Sequence, residues 1–285
     1  MKTISTLILA ASLFLISYFI WSRSSQEPHP LHSKEKQHAF VIAQAHHLIG
    51  FDLVDPEQAP LDERDSVMRG YRLIMNTPFY APNYARDQLS CTNCHFTEGD
   101  SLGGKNGGIS LVGVTTVYPR YSARFGKVIS LTEKINSCFE RSLSGNPLPV
   151  DSQEVKDIIA YLSWISKEVE HIKPIPWLGL AMLNKKSEPN PQKGATLYQM
   201  HCALCHRENG QGGAPTPTSS KTIPPLWGPN SFNDSAGMNQ IPMFASFIYW
   251  NMPHNDPILT EQEAWDIASF VTQQPRPHYH PRIKK

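Results

Sequence analysis

Two pentapeptides of the form Cys-x-x-Cys-His, CTNCH at 91–95 and CALCH at 202–206, constrain this chain more than any other feature. The pattern is the covalent attachment signature of c-type haem: two thiols add across the vinyl groups, and the next histidine is placed under the iron. Two C-x-x-C pairs can also make a zinc site, and one pair in a βαβ context can be a redox dithiol. Neither explains a histidine directly after both pairs, nor the Gly194-x-x-Leu197-Tyr198 lead-in to the second. Two covalently bound c-type haems are therefore expected, on Cys91 and Cys94 and on Cys202 and Cys205, with His95 and His206 as proximal ligands.

The segments around the motifs repeat. Helical periodicity is expected over Asp65–Asn76 before the first motif and over Gly194–Tyr198 before the second. Each motif is followed by a long loop and a closing helix, Asp151–Ser166 and Leu259–Thr272. From Cys91 to Tyr161 is 70 residues and from Cys202 to Phe270 is 68, with both aromatics late in the closing helix. Equal length and order point to a tandem duplication. The expected fold is all-α: two tandem class I cytochrome c-like domains with an N-terminal helical extension. The Gly-rich stretch at 99–108 lacks the strand-then-helix context of a phosphate loop and reads as a turn-rich wrap.

The N-terminus speaks to compartment. An uncharged apolar run from Ile4 to Trp21 follows Met1-Lys2, longer than an ordinary signal h-region and near the lower limit of a membrane span. An uncleaved anchor or a cleaved signal both export the chain, which places it in the periplasm. The expected divisions are a signal segment at 1–25, a tether and N-terminal helix (His38–Ile49) at 26–64, a first haem domain at 65–173, a Pro- and Lys-rich linker at 174–192, and a second haem domain at 193–285. The formal net charge of +1 argues against a nucleic-acid partner, which calls for a strong basic bias.

Each iron has a second axial position. In the second unit, Met238, Met243, Met252 and His254 are candidates. Met252 stands before Pro253, shortly ahead of the closing helix, as in the distal methionine loop of class I cytochromes c, and a thioether raises the potential. The first unit has no methionine or histidine between His95 and Ser166. Its strong remaining ligand is Cys138, the cysteine neither motif uses, 47 residues past Cys91 where Met252 is 50 past Cys202. An open or lysine-ligated iron, or a buried structural cysteine, are the alternatives. Ser130-x-x-Glu133 predicts a capping box and a helix from Leu131. On it Lys134, Arg141 and Ser142 would share the face of Cys138. Cationic neighbours favour a thiolate, and Arg120, Arg124, Lys127, Lys134 and Arg141 outnumber Glu133 and Glu140 between Tyr118 and Gly145, which suits an anion.

With these residues assembled, the chain resembles the dihaem thiosulfate dehydrogenase family, whose members also act as tetrathionate reductases. The matching stretches are GYRLIMNTPFYAP, YPRYSARFGK and INSCFERSLSGNPLP with DSQEVKDIIAYLSW, covering most of Met68 to Trp164. The resemblance implies that Cys138 is both distal ligand and catalytic sulfur, and that Arg124, Lys134 and Ser142 line the substrate site. The family often has arginine where Lys134 stands, so the charge is kept without the bidentate fork. Some members have a lysine beside the distal methionine that can replace it on the iron; Asn251 occupies that place here. The expected activity is interconversion of thiosulfate and tetrathionate, with electrons passed through the second haem to a soluble or membrane-bound partner. The competing expectation is a dihaem electron-transfer cytochrome with no substrate of its own.

Overall fold

The computed structural model describes residues 55–86, 88–214 and 222–281. The signal segment and the His38–Ile49 helix lie outside the described residues. No helix among the described residues is long and apolar enough to cross a membrane.

Eight α-helices run in the order α1 (Leu61–Met75), α2 (Thr77–Tyr80), α3 (Leu131–Ser137), α4 (Gln153–Ser166), α5 (Pro191–His201), α6 (Ala203–His206), α7 (Ile241–Asn251) and α8 (Glu261–Thr272) among the described residues. A two-stranded antiparallel hairpin, β1 (Arg120–Ser122) and β2 (Lys127–Ile129), is the small exception to an otherwise helical fold. Each haem motif lies between a leading and a closing helix that cross: α1 with α4, and α5 with α8. α1 buries Val67, Gly70, Leu73 and Ile74 along one stripe, the spacing of a helix with a single core-facing side. Each such aliphatic side chain contributes about 1.5–3 kcal/mol on burial. α1 begins four residues earlier than the apolar periodicity suggests, with Asp62 and Glu63 in its first turn complementing the helix dipole. Ser152 caps α4 through the Val155 amide, and Thr260 and Glu263 form a reciprocal capping box on α8.

Both crossings use one device. A Cβ on Gly70 would meet the Asp157 carbonyl oxygen at 2.0 Å, and one on Gly194 would meet the Asp266 carbonyl oxygen at 2.0 Å. The residue before each glycine is a cation paired with the same aspartate: Arg69 with Asp157 at 2.7 Å and Lys193 with Asp266 at 3.7 Å. Gln153 and Gln262, one turn before those aspartates, each donate to them at 2.8 Å. Ser66 Oγ donates to Asp157 at 2.6 Å, and the Asn190 amide, at the equivalent position, donates to Asp266 at 2.8 Å. The duplication read from motif spacing thus extends to the side chains that lock each helix pair.

Three features depart from what composition suggests. The Pro- and Lys-rich segment beginning at Pro174 is pinned, with Ile175 and Trp177 buried in the first core. Trp177 Nε1 donates to the Val112 carbonyl at 3.0 Å, and the Leu183 amide donates to Ser246 Oγ at 2.9 Å. α7, which carries Phe244, Phe247, Ile248 and Trp250 into the second core, is apolar around its whole circumference and so lacks the amphipathic period that marks a helix in sequence. The C-terminal tail is extended and docked: Gly228 donates to the Pro275 carbonyl at 2.7 Å, Asp234 to that of Pro277 at 3.0 Å, and the Tyr279 amide to Asp234 Oδ1 at 2.9 Å.

Candidate functional site

The first motif opens in a tight turn at Cys91–Asn93, capped by Ser90. Thr77, at the start of α2, accepts the Cys91 amide at 3.1 Å and donates its hydroxyl to Cys91 Sγ at 3.3 Å. The histidine that follows is oriented from behind: His95 Nδ1 donates to the Ile109 carbonyl at 2.7 Å. In the second motif His206 Nδ1 donates to the Pro224 carbonyl at 3.0 Å. Burial pushes His95 down to about 4 and also lowers His206, so both rings are neutral. A neutral imidazole fixed through Nδ1 presents Nε2 to a metal. All five cysteines are free of disulfides. The donor sets therefore fit two c-type haems, with thioethers from Cys91 and Cys94 and from Cys202 and Cys205.

Cys138 lies where α3 ends. The Ser130–Glu133 capping box is present, with the Glu133 amide donating to Ser130 Oγ at 3.1 Å and the Ser130 amide to Glu133 at 2.8 Å. The helix does not continue regularly: Cys138–Ser142 forms a π turn, closed by the Leu143 amide on the Cys138 carbonyl at 2.9 Å. Such turns are rare and frequent at functional sites. Burial pushes the Cys91 thiol up to about 11 and Cys94 up to about 12, and the charge of Cys138 adds to both. The third sulfur thus lies beside the first attachment site. Lys134 is raised, first by the charge of Cys138 and against burial, and it also feels Tyr118, Arg124 and Arg120. Lys134 therefore lies within electrostatic reach of Cys138 on one side and of Arg124 and Arg120 on the other.

The expected helical face is altered by the wider turn. Ser142 is partly buried at its end, but Arg141 is turned toward other groups. Its Nη1 donates to Ser137 Oγ at 3.1 Å, its Nε to Ser235 Oγ at 3.3 Å, and its guanidinium lies 4.4 Å from the Tyr279 ring centroid. Arg124 is exposed and its Nη1 donates to the Ser235 carbonyl at 2.5 Å.

Met252 follows α7 directly, its amide donating to the Ile248 carbonyl at 2.8 Å, and packs against the second core. Met238 is buried in that core and Met243 packs at its edge. Asn251, fully buried, donates to the Phe247 carbonyl at 2.9 Å and accepts the Gly108 amide at 2.9 Å. Gly108 precedes Ile109, whose carbonyl orients His95. Phe96, next to His95, has its ring 5.8 Å from Phe247 and 5.1 Å from His254. The two motif sites therefore share a wall made by the Gly-rich wrap and the end of α7. Sequence reasoning gave that wrap no partner. Its positive-φ glycines, Gly99, Gly103, Gly104 and Gly108, mark turns but not what the turns meet.

Comparison with known proteins places both halves. Residues 79–170 match the SoxA/TsdA cytochrome c domain family and residues 191–275 match the cytochrome c family. Over 75% of this chain and 79% of the relative, the sequence is 39% identical to the thiosulfate dehydrogenase of Allochromatium vinosum. It is 35% identical to that of Psychrobacter arcticus over 78% of this chain and 67% of the relative. Among solved structures, thiosulfate dehydrogenase (TsdBA) from Marichromatium purpuratum aligns with a TM-score of 0.73 and 27% identity. That alignment covers 82% of this chain but 51% of the longer TsdBA chain. Two cytochrome c domains, each with its attachment motif, carry two covalently bound c-type haems.

Proposed function

The chain belongs to the thiosulfate dehydrogenase family of dihaem c-type cytochromes, and on that premise we propose that it interconverts thiosulfate and tetrathionate at Cys138. The observation that carries this reading is the free Cys138 within electrostatic reach of Cys91, Cys94 and Lys134, with Arg124 and Arg120 in reach of Lys134. In this reading His95 and Cys138 would hold the iron of the first haem, and His206 and Met252 that of the second. When bound, the haems would supply one-electron acceptors for the two electrons the reaction releases.

The work of the side chains follows from charge and sulfur chemistry. Two thiosulfate dianions must meet, and Arg124, Lys134 and Ser142 offset their repulsion and hold the first one by its sulfonate oxygens. The Cys138 thiolate forms a bond to the outer sulfur of that thiosulfate, and two electrons leave. The product is a Cys138–S–S–sulfonate adduct with one negative charge. A second thiosulfate attacks the middle sulfur of the adduct, between Sγ and the sulfonate, and the Cys138 thiolate leaves, as in thiol–disulfide exchange. The new S–S bond completes tetrathionate and returns the Cys138 thiolate. In reverse, the thiolate attacks tetrathionate and releases one thiosulfate, and two incoming electrons free the second. The second haem faces a soluble or membrane-bound electron partner, and the reaction belongs to the periplasm, where c-type haem is attached.

Anaerobic assays of the purified holoprotein test this reading: thiosulfate with an oxidising dye, and tetrathionate with a reducing dye. Turnover of a sulfur compound is expected. Rapid dye exchange with neither compound consumed identifies a simple electron carrier instead.

A further inference from the structure

The C-terminal strap and the loop it holds reach across to the π turn that follows Cys138. Asn233 donates its side-chain amide to the Glu140 carbonyl at 2.8 Å and its backbone amide to the Arg141 carbonyl at 3.2 Å. Ser144 Oγ donates to the Ser231 carbonyl at 2.8 Å. On the strap side, Asp234 accepts the Tyr279 amide and pairs with His278, which fixes the Tyr279 ring over Arg141. The Arg141 side chain is 11% exposed, between the rings of Tyr279 at 4.4 Å and Phe125 at 5.2 Å. A guanidinium stacked on an aromatic face is held as a plane, which a lysine does not reproduce.

Two cations of the first domain converge on one residue of the second. Arg141 donates to the Ser235 hydroxyl, and Arg124 donates to the Ser235 carbonyl. Arg124 is otherwise an exposed side chain on the turn between β1 and β2, and a long flexible arginine loses rotamer entropy when a ligand must order it. An acceptor that orders it beforehand removes part of that loss on binding.

We propose that the anion site beside Cys138 is composite: Tyr279, Arg141 and Ser235 act as positioning residues that hold Arg124 in place for a sulfur oxyanion. The inference rests on the assignment of Arg124 to the substrate site made above. It assigns to the second haem domain a part in substrate binding in addition to electron transfer. None of the three positioning residues touches the reacting sulfur.

The test measures thiosulfate binding to the fully reduced holoprotein by calorimetry, where no electron can leave and no turnover occurs, together with KM and kcat. Tyr279→Ala is expected to weaken binding about fivefold and raise KM to match, with kcat within about twofold of wild type. Tyr279→Phe, which keeps the ring, is expected to restore both values. Arg141→Lys, which keeps the charge but loses the planar fork, gives the same loss as Tyr279→Ala and decides the question if that variant does not accumulate as holoprotein. Unchanged affinity and KM in a folded Tyr279→Ala or Arg141→Lys protein overturns the proposal, as does a wild type that does not bind thiosulfate. A wild type that binds thiosulfate without oxidising it removes the proposed activity, and the same affinities still decide the positioning claim.

Discussion

The buried side chain of Asn251 accepts the backbone amide of Gly108 at 2.9 Å, joining the residue before Met252 to the residue before Ile109, the carbonyl partner of His95. Asn251→Leu leaves the Gly108 amide and the Phe247 carbonyl without this partner. An unmet buried polar group costs about 1–3 kcal/mol. The variant is expected to lose stability by that amount in denaturant titrations of the holoprotein. Unchanged stability would show that the shared wall is held by apolar contacts alone.

Gly70 and Gly194 predict matched effects in the two halves. A methyl group at either site would approach a helix carbonyl oxygen at 2.0 Å, so α1 must move from α4, or α5 from α8. Overpacking of this kind costs about 1–3 kcal/mol or more. Gly70→Ala and Gly194→Ala should each lower the thermal midpoint. Limited proteolysis is expected to cut first in the domain that carries the substitution.

Asp157 predicts a pH dependence of stability. Burial alone would raise its carboxyl, but the hydrogen bonds from Arg69, Ser66 and Gln153 outweigh burial and hold it below its ordinary value. A depressed folded-state pKa stabilises the protein above the unfolded value of about 3.9, and the contribution is lost as pH falls through the folded value. Asp157→Asn should therefore be less stable than wild type at neutral pH. The two unfolding midpoints should converge as pH falls through the folded-state value of Asp157. Arg69 is half exposed, so solvent screens its share and the packed hydrogen bonds carry most of the difference.

Met252 makes a prediction about potential. With Met252 proposed as a ligand of the second iron, and a thioether raising the potential of a c-type haem, Met252→His should lower that of the second haem in a spectroelectrochemical titration. Met243→Leu should leave it near wild type, since Met243 packs at the edge of the core.

Much of this was legible in the chain itself because covalent haem attachment leaves a rigid mark. CTNCH and CALCH set the cofactor, and the absence of methionine and histidine between His95 and Ser166 left Cys138 as the strong remaining ligand of the first unit. The cap at Ser130 was readable because a short polar side chain three residues before glutamate has a local physical reason. What escaped was non-local. The π turn at Cys138–Ser142 is met by the Asn233 side chain on the Glu140 carbonyl, 93 residues away in sequence, and no local pattern encodes it. The α7 helix escaped because it is apolar on all sides. The tail escaped because the feature that docks it is Asp234, an unremarkable loop aspartate until Pro277 and Tyr279 meet it. Arg141 shared a face with Cys138 only under regular helical spacing, and the wider turn carried it to Tyr279.

The central claim is that the Cys138 sulfur performs the chemistry. The most direct measurement is the pair of anaerobic assays, thiosulfate oxidation and tetrathionate reduction, on Cys138→Gly holoprotein with both haems still bound. The account predicts loss of both activities by more than about a thousandfold with haem content unchanged. Turnover equal to wild type in that variant would contradict it.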